Sequence, residues 1–363
     1  MKKANSMQNI SKSNIKDKRA VIKKVLDIVV PILISGVMIA WLFHKIKIHT
    51  IIQILRDQCD YRWLLLMCGV EVLSRCIRGL RWGIQLRAAG IKRMPRFAEM
   101  VAIFGAYALN LLLTGVGEAW RCLYVADRQK ANLSTVIGTD IGDRISDAIM
   151  IMVTIGLSLT VASPMLEKFM DTYQLGRDIM HVIVSPWLWL SVAAIIGGII
   201  WIMFAHSTNV HIQKIRTQAQ NLWNGFRILF TMKHQIRYWL YTLIIWVAYF
   251  LMTYLCFFAF PFTRDLIRPE LAYGLIPGLV VFIFASLSIA IPATGGLGPW
   301  NLAVIFALSL YNVRSADAAA YSMVVWAFQT VTQVMMGLVA AGYVTYDRHR
   351  SQNISQLPSS PKQ

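Results

Sequence analysis

The 363-residue chain is 56% hydrophobic and only 15% charged, with a mean hydropathy of +0.53, which excludes an ordinary soluble globular domain and indicates a polytopic membrane protein. At about 20 apolar residues per helical span, the length admits roughly six to nine helices and leaves no room for a large soluble domain. The net charge of +18 lies in short basic segments between apolar runs, as the positive-inside rule produces, so topology accounts for it and no nucleic-acid partner is expected.

Residues 1–24 carry eight Lys/Arg against one Asp, which predicts a disordered basic cytosolic tail. The apolar run Val25–Phe43 follows without a small-residue cleavage site and predicts a retained first span. A second run, Tyr61–Leu80, carries Arg75, Arg78 and Arg81 toward its end at a spacing of three. These arginines either mark the cytosolic end of the span or line an entrance for anionic lipid head groups. Lys92, Arg93 and Arg96 reinforce an inside assignment.

Phe97–Leu113 is a third apolar run, and it ends in Asn110-Leu111-Leu112-Leu113-Thr114-Gly115-Val116-Gly117-Glu118-Ala119-Trp120-Arg121. Here Gly115 and Gly117 break a helix that restarts on Glu118 and Arg121. Inside hydrocarbon, freed backbone groups are tolerated only where they face protein or a water-filled cavity. A re-entrant hairpin over 97–130, entering and leaving on the cytosolic side, fits this pattern.

Leu133–Ala162 predicts a long helix whose first half holds Asp140, Asp143, Arg144 and Asp147, several of them i, i+4 neighbours. Left unpaired at mid-bilayer, the six groups Glu118, Arg121, Asp140, Asp143, Arg144 and Asp147 would cost about 3 kcal/mol each. They must therefore be paired, hydrated or near the surface. Residues 163–181 are charge-balanced, as an external loop would be. Span 185–205 follows, with Trp187, Trp189 and Trp201 as interfacial anchors.

From 206 to 237, Ile212, Ile215, Ala219, Leu222, Phe226 and Phe230 recur at three or four and predict an amphipathic helix, on the inner membrane surface or packed on the bundle. Span 238–260 leads through a charged turn to Leu271–Ile291. There Gly295, Gly296 and Gly298, between two prolines, stop the helix, and Pro299 is placed to open a short one through Asn301 to Leu310. A second hairpin over 271–312 is expected, then a last span at 318–346 and a disordered cytosolic tail, 347–363. The fold expected is an all-α polytopic membrane protein with a single membrane domain over 25–346. It has six full spans and two re-entrant hairpins, related as a possible inverted repeat, or about eight complete spans.

Cys59, Cys68, Cys76, Cys122 and Cys256 show no metal-ligand or paired spacing, and no zinc, nucleophile or nucleotide-binding motif occurs. No catalytic residue, metal or cofactor is assigned. Asp140, Asp143 and Asp147 could hold a divalent cation for phosphoryl chemistry, but the motif of the membrane CDP-alcohol phosphotransferases is missing.

Four motifs in order, Arg78-x-x-Arg81-Trp82, Asn110 through Gly117-Glu118-x-x-Arg121, Asp143-Arg144-x-x-Asp147 and Gly295-Gly296-Leu297-Gly298, resemble the flippase-like membrane domain of lysylphosphatidylglycerol synthases. They are also similar to its stand-alone relatives in bacterial inner membranes. The resemblance covers roughly residues 20–345. This chain has Thr114 and Thr294 where the family commonly has Pro, Asp143 where it has Glu, and Asn301 where it has Glu. The family's aminoacyl-transferase domain has no counterpart here, so lysyl transfer is not carried over.

The resemblance implies translocation of a polar lipid, anionic or aminoacylated, in a bacterial inner membrane with both termini cytosolic. Half-helix N-termini at Gly117-Glu118 and Gly298-Pro299 would point their positive dipole ends at the head group. Arg121 and Arg144, with the Arg75, Arg78 and Arg81 stripe, would contact its phosphate. Glu118, Asp143 and Asp147 would orient those arginines or meet a cationic group. Alternatively, Glu118–Arg121 and Asp140–Arg144 are helix-locking ion pairs. The competing functions are a non-transporting scaffold or accessory subunit, a homo-oligomer among the forms it could take, and a metal-dependent lipid-modifying enzyme.

Overall fold

The computed structural model describes residues 59–161, 231–267, 274–288 and 298–355, together with Arg56, Ser185, Pro186, Leu190 and Gly197. The expected first span, the external loop, nearly all of span 185–205, residues 206–230 of the amphipathic helix, and Gly295 and Gly296 lie outside the described residues.

Every regular element among the described residues is helical. Helix α1 (Tyr61–Ala88) starts where the Asp60 carboxylate accepts from the Arg62 amide at 3.1 Å, and stops at Gly90, whose φ of +80° a side chain would resist. Pro95 then precedes α2 (Arg96–Leu112), and Gly115, at φ +87°, turns the chain into α3 (Val116–Gln129). The Asn132 side chain accepts from the Ser134 amide at 2.9 Å and opens α4 (Leu133–Val161).

After a turn at 232–234 comes α5 (Gln235–Phe257), then the single turn α6 (Pro261–Arg264) and a 3₁₀ turn, Asp265–Ile267. Helices α7 (Ile276–Leu287) and α8 (Pro299–Ser309) follow. Gly298 (φ +100°) and Pro299 begin α8 as the residue order predicts, and α9 (Ser315–Ser355) closes the fold.

Two expected boundaries are corrected. Residues 235–237 form the first turn of α5 instead of ending the amphipathic helix. Helix α9 runs nine residues past Tyr346, because Asp347 is tied to Arg128 at 2.5 Å instead of fraying into a tail.

Helices α5 and α9 are long and apolar enough to cross a membrane. Helices α1 and α4, of 28 and 29 residues, have the length but are broken into by charge. At about 1.5 Å per residue, α2 and α3, of 17 and 14 residues, span roughly 25 and 21 Å, short of a ~30 Å hydrocarbon core. Helices α7 and α8, of 12 and 11 residues, are shorter still.

Each half therefore reads long helix, short pair, long helix. Exchanging α1 with α5, α2 with α7, α3 with α8 and α4 with α9 carries most of the helix packing onto itself. The α1–α2 contact becomes α5–α7, α3–α4 becomes α8–α9, α2–α9 becomes α7–α4, and α1–α9 becomes α5–α4. The α1–α4 contact has no counterpart of similar extent between α5 and α9 among the described residues. The main apolar core joins α1, α5, α7, α8 and α9 around Leu64, Phe257, Phe260, Val304 and Tyr321, and a second joins α1, α2 and α3 around Trp82, Ile103 and Val125.

Candidate functional site

The exceptional α1–α4 contact carries the charge. Because α1 continues two turns beyond Leu80, Arg75, Arg78 and Arg81 lie inside the helix and are buried, Arg81 completely. Their guanidinium groups therefore sit among neighbouring helices and not on an open surface. Arginine cannot shed its proton, so three such groups in the bundle need acids. Helix α4 supplies them for Arg78 and Arg81, and Glu71 of α1 itself for Arg75.

Arg78 donates from Nη2 to Asp143 Oδ2 at 3.0 Å and to Asp147, while Arg81 donates from Nη2 to Asp143 Oδ1 at 2.5 Å and to Asp147 Oδ1 at 2.9 Å. Arg121, brought in by α3, pairs with Asp140 and reaches Asp143 Oδ2 at 3.4 Å, and its guanidinium lies 4.7 Å from the Trp82 ring centre. Asp143 thus bridges three arginines and is fully buried.

Arg144 faces outward, its side chain 56% exposed; it pairs with Glu118 and sits 3.7 Å from Asp140. The expected Glu118–Arg121 pair is accordingly replaced by Glu118–Arg144, while Asp140–Arg144 is present as a long contact. Asn110 joins the hairpin to this edge, donating from Nδ2 to Glu118 Oε1 at 2.8 Å and accepting from the Gly117 amide at 2.9 Å. Gly117 is required there because a Cβ would fall on the Ala106 carbonyl of α2.

The positions 71 to 81 on α1 form a continuous stripe. Glu71, four residues before Arg75, is fully buried; its Oε1 accepts from Gln333 of α9 at 3.0 Å and lies 3.5 Å from Arg75 Nη2. Arg75 donates to the Tyr249 hydroxyl of α5 at 2.8 Å and stacks 3.7 Å from the Tyr107 ring centre of α2. Below, Tyr238 of α5 accepts from Gln85 of α1 at 3.0 Å and shares a 2.7 Å bond with Ser146 of α4, and Arg81 donates to Thr242 at 3.3 Å. Arg75, Arg78, Arg81, Arg121 and Arg144 balance Glu71, Glu118, Asp140, Asp143 and Asp147, so the centre sums to zero.

Glu71, Gln333, Tyr107, Tyr249 and Tyr238 escaped sequence reasoning. Glu71 left a signal, a lone acid in an apolar run one helical turn before an arginine. The tyrosines and Gln333 left none, since aromatic and amide residues are unremarkable in spans. The three aspartates of α4 are apportioned among arginines, and among the described residues no group of three or more His, Cys, Asp or Glu is placed to hold a metal.

The second hairpin differs. Asn301 is fully buried, and its Oδ1 accepts from the Gly298 amide at 3.2 Å. No hydrogen bond or ion pair among the described residues joins Gly298, Pro299 or Asn301 to the ionic centre.

A helical membrane domain with a charge-balanced arginine–carboxylate centre held among α1, α3 and α4 of its first half is the class of protein these features define. Residues 28–337 match the family described as the lysylphosphatidylglycerol synthase TM region, and the chain belongs to that family. Membership places it in the membrane with a lipid-related function. Neither a curated relative nor a solved structure matches.

Proposed function

We propose that the chain moves a polar phospholipid between leaflets of a bacterial inner membrane, with both termini cytosolic. The observation that carries this is the buried ionic centre. A scaffold has no need of Glu71, Arg75, Arg78, Arg81, Arg121, Asp140 and Asp143 buried inside its bundle, where each is expensive and such groups mark substrate paths. The two short hairpins, α2–α3 and α7–α8, each lying between two long helices, support reading the two halves as an inverted repeat.

The half-exposed edge formed by Arg144, Glu118 and Asp147 is the first contact for a head group. Its phosphate displaces Glu118 from Arg144 and then exchanges onto Arg121 and the α1 arginines, while released carboxylates hold the arginines in line or meet an ammonium group. The N-terminus of α3 adds the positive end of its dipole at the same edge.

The test is transbilayer movement of labelled phosphatidylglycerol in proteoliposomes. Arg144→Ala, Arg121→Ala and Asp147→Asn should each lower the rate at least tenfold at equal reconstituted protein. Unchanged rates in all three would refute the assignment.

A further inference from the structure

Resting on that transport reading, we infer that Glu71 and Arg75 form a proton-linked anion site, in which a phosphodiester monoanion binds Arg75 together with one proton taken up by Glu71. The four buried arginines are not equally matched. Arg78, Arg81 and Arg121 each hold two carboxylates. Arg75 faces one, Glu71, at 3.5 Å, the longest of the contacts to α1 arginines. Its remaining ties are neutral: the Tyr249 hydroxyl and the Tyr107 ring. Among the buried cations it is the one an incoming anion displaces most cheaply.

Glu71 complements this. It is fully buried, yet only Oε1 is engaged, by Gln333 and weakly by Arg75, while Oε2 is buried without a hydrogen-bond partner among the described residues. Such a carboxylate is stabilised by one long ion pair and one amide. When a phosphodiester takes Arg75, that ion pair is lost, and a lone carboxylate would remain in the bundle. Protonation from water removes that charge. Arg75 is then balanced by the ligand in place of Glu71, and the net charge of the site is unchanged.

Among the described residues, Glu71 is the one acid paired with Arg75. Glu71 meets Arg75 one turn on and Gln333 of α9, and it acts electrostatically on the Cys68 thiol of α1 and the Cys256 thiol of α5; Tyr249 of α5 and Tyr107 of α2 lie against Arg75. Of the α4 carboxylates, Asp147 comes nearest to this end: it pairs with Arg78 and acts electrostatically on Tyr107 and Tyr249.

The sign follows directly. Binding takes up a proton, so affinity rises as pH falls, by up to about tenfold per pH unit for one linked proton. The test is proton uptake by purified protein in weakly buffered detergent solution with a pH dye. Dihexanoyl-phosphatidylglycerol is the probe, with inorganic phosphate and dihexanoyl-phosphatidylcholine run in parallel.

The expected result is about one proton per phosphatidylglycerol bound, with a pH-dependent Kd, and for Glu71→Gln no uptake and a flat Kd profile. No uptake by the wild-type protein, or equal uptake by Glu71→Gln, overturns the proposal, and the wild-type measurement needs no variant to fold. Uptake with inorganic phosphate alone overturns the lipid assignment of the site. Proton-linked binding without transbilayer movement would sink the transport reading and leave the proton-linked site standing.

Discussion

Asp143→Asn removes one charge and almost no volume from the centre of the buried network. In its immediate set, Arg78, Arg81 and Arg121 face Asp140, Asp143 and Asp147, three cations against three anions. The substitution leaves three against two, in a place where Asp143 and Arg81 have no exposed surface. Breaking a buried pair by removing one partner costs about 3–5 kcal/mol, because the other charge stays buried and uncompensated. Removing Arg81 as well, in Arg81→Met/Asp143→Asn, restores two against two: Arg78 keeps Asp147, and Arg121 keeps Asp140. The double variant should therefore recover most of the loss, to within about 1–2 kcal/mol of wild type. Arg144→Ala, at the half-exposed edge, should cost only about 1 kcal/mol. Unfolding by SDS in mixed micelles, followed by tryptophan fluorescence, measures all three. A loss under about 1 kcal/mol for Asp143→Asn, or a double variant less stable than the single, would refute charge balance as what holds this centre.

Gly117→Ala should destabilise by about 1–3 kcal/mol through overpacking, since its Cβ would meet the Ala106 carbonyl; Ala106→Gly should not rescue it, because the obstacle is backbone. Gly115→Ala has open space around it and meets only the φ of +87°, so it should cost about 1–2 kcal/mol and leave the hairpin contact intact, which cysteine cross-linking between α2 and α3 would check. Tyr238→Phe unties Gln85 and Ser146 and should cost about 1–3 kcal/mol in the same unfolding assay, with no change in net charge or in the salt dependence of stability.

The helices were legible wherever backbone chemistry decides. Apolar runs and the glycine and proline breaks placed both ends of α2, α3 and α8, and the start of α4, to within a residue or two. The reading slipped where long-range pairing decides. Helix α1 was expected to stop near Leu80 because a run of arginines resembles the cytosolic end of a span. Asp143 and Asp147, more than sixty residues away, allow it to continue to Ala88. The same distance hid the partners of the site. The charged residues announce themselves in an apolar chain, but that Glu118 holds Arg144 and that Arg121 holds Asp140 depends on how α3 lies on α4. Gln333 meets Glu71 across 262 positions of sequence, and no local pattern predicts such a contact.

The two halves of the fold share a plan and divide the labour. Glu118 and Asn301 occupy the same place, the third residue of the second helix in each hairpin, after a glycine with positive φ. In the first half that residue is an acid tied to Arg144 and, through Asn110, to the hairpin itself. In the second it is an amide turned back on its own helix start. The difference extends to the long helices. Helix α4 places Asp143 and Asp147 against α1 and Asp140 against α3, whereas α8 and α9 meet α5 and α7 through Val304, Ala307, Tyr321 and Val324. An apolar half packs tightly and has little cause to repack, whereas a half held by exchangeable ion pairs can trade partners without exposing apolar surface. On the proposed transport reading, the contacts that move are those of α1, α3 and α4, with the second half as the frame.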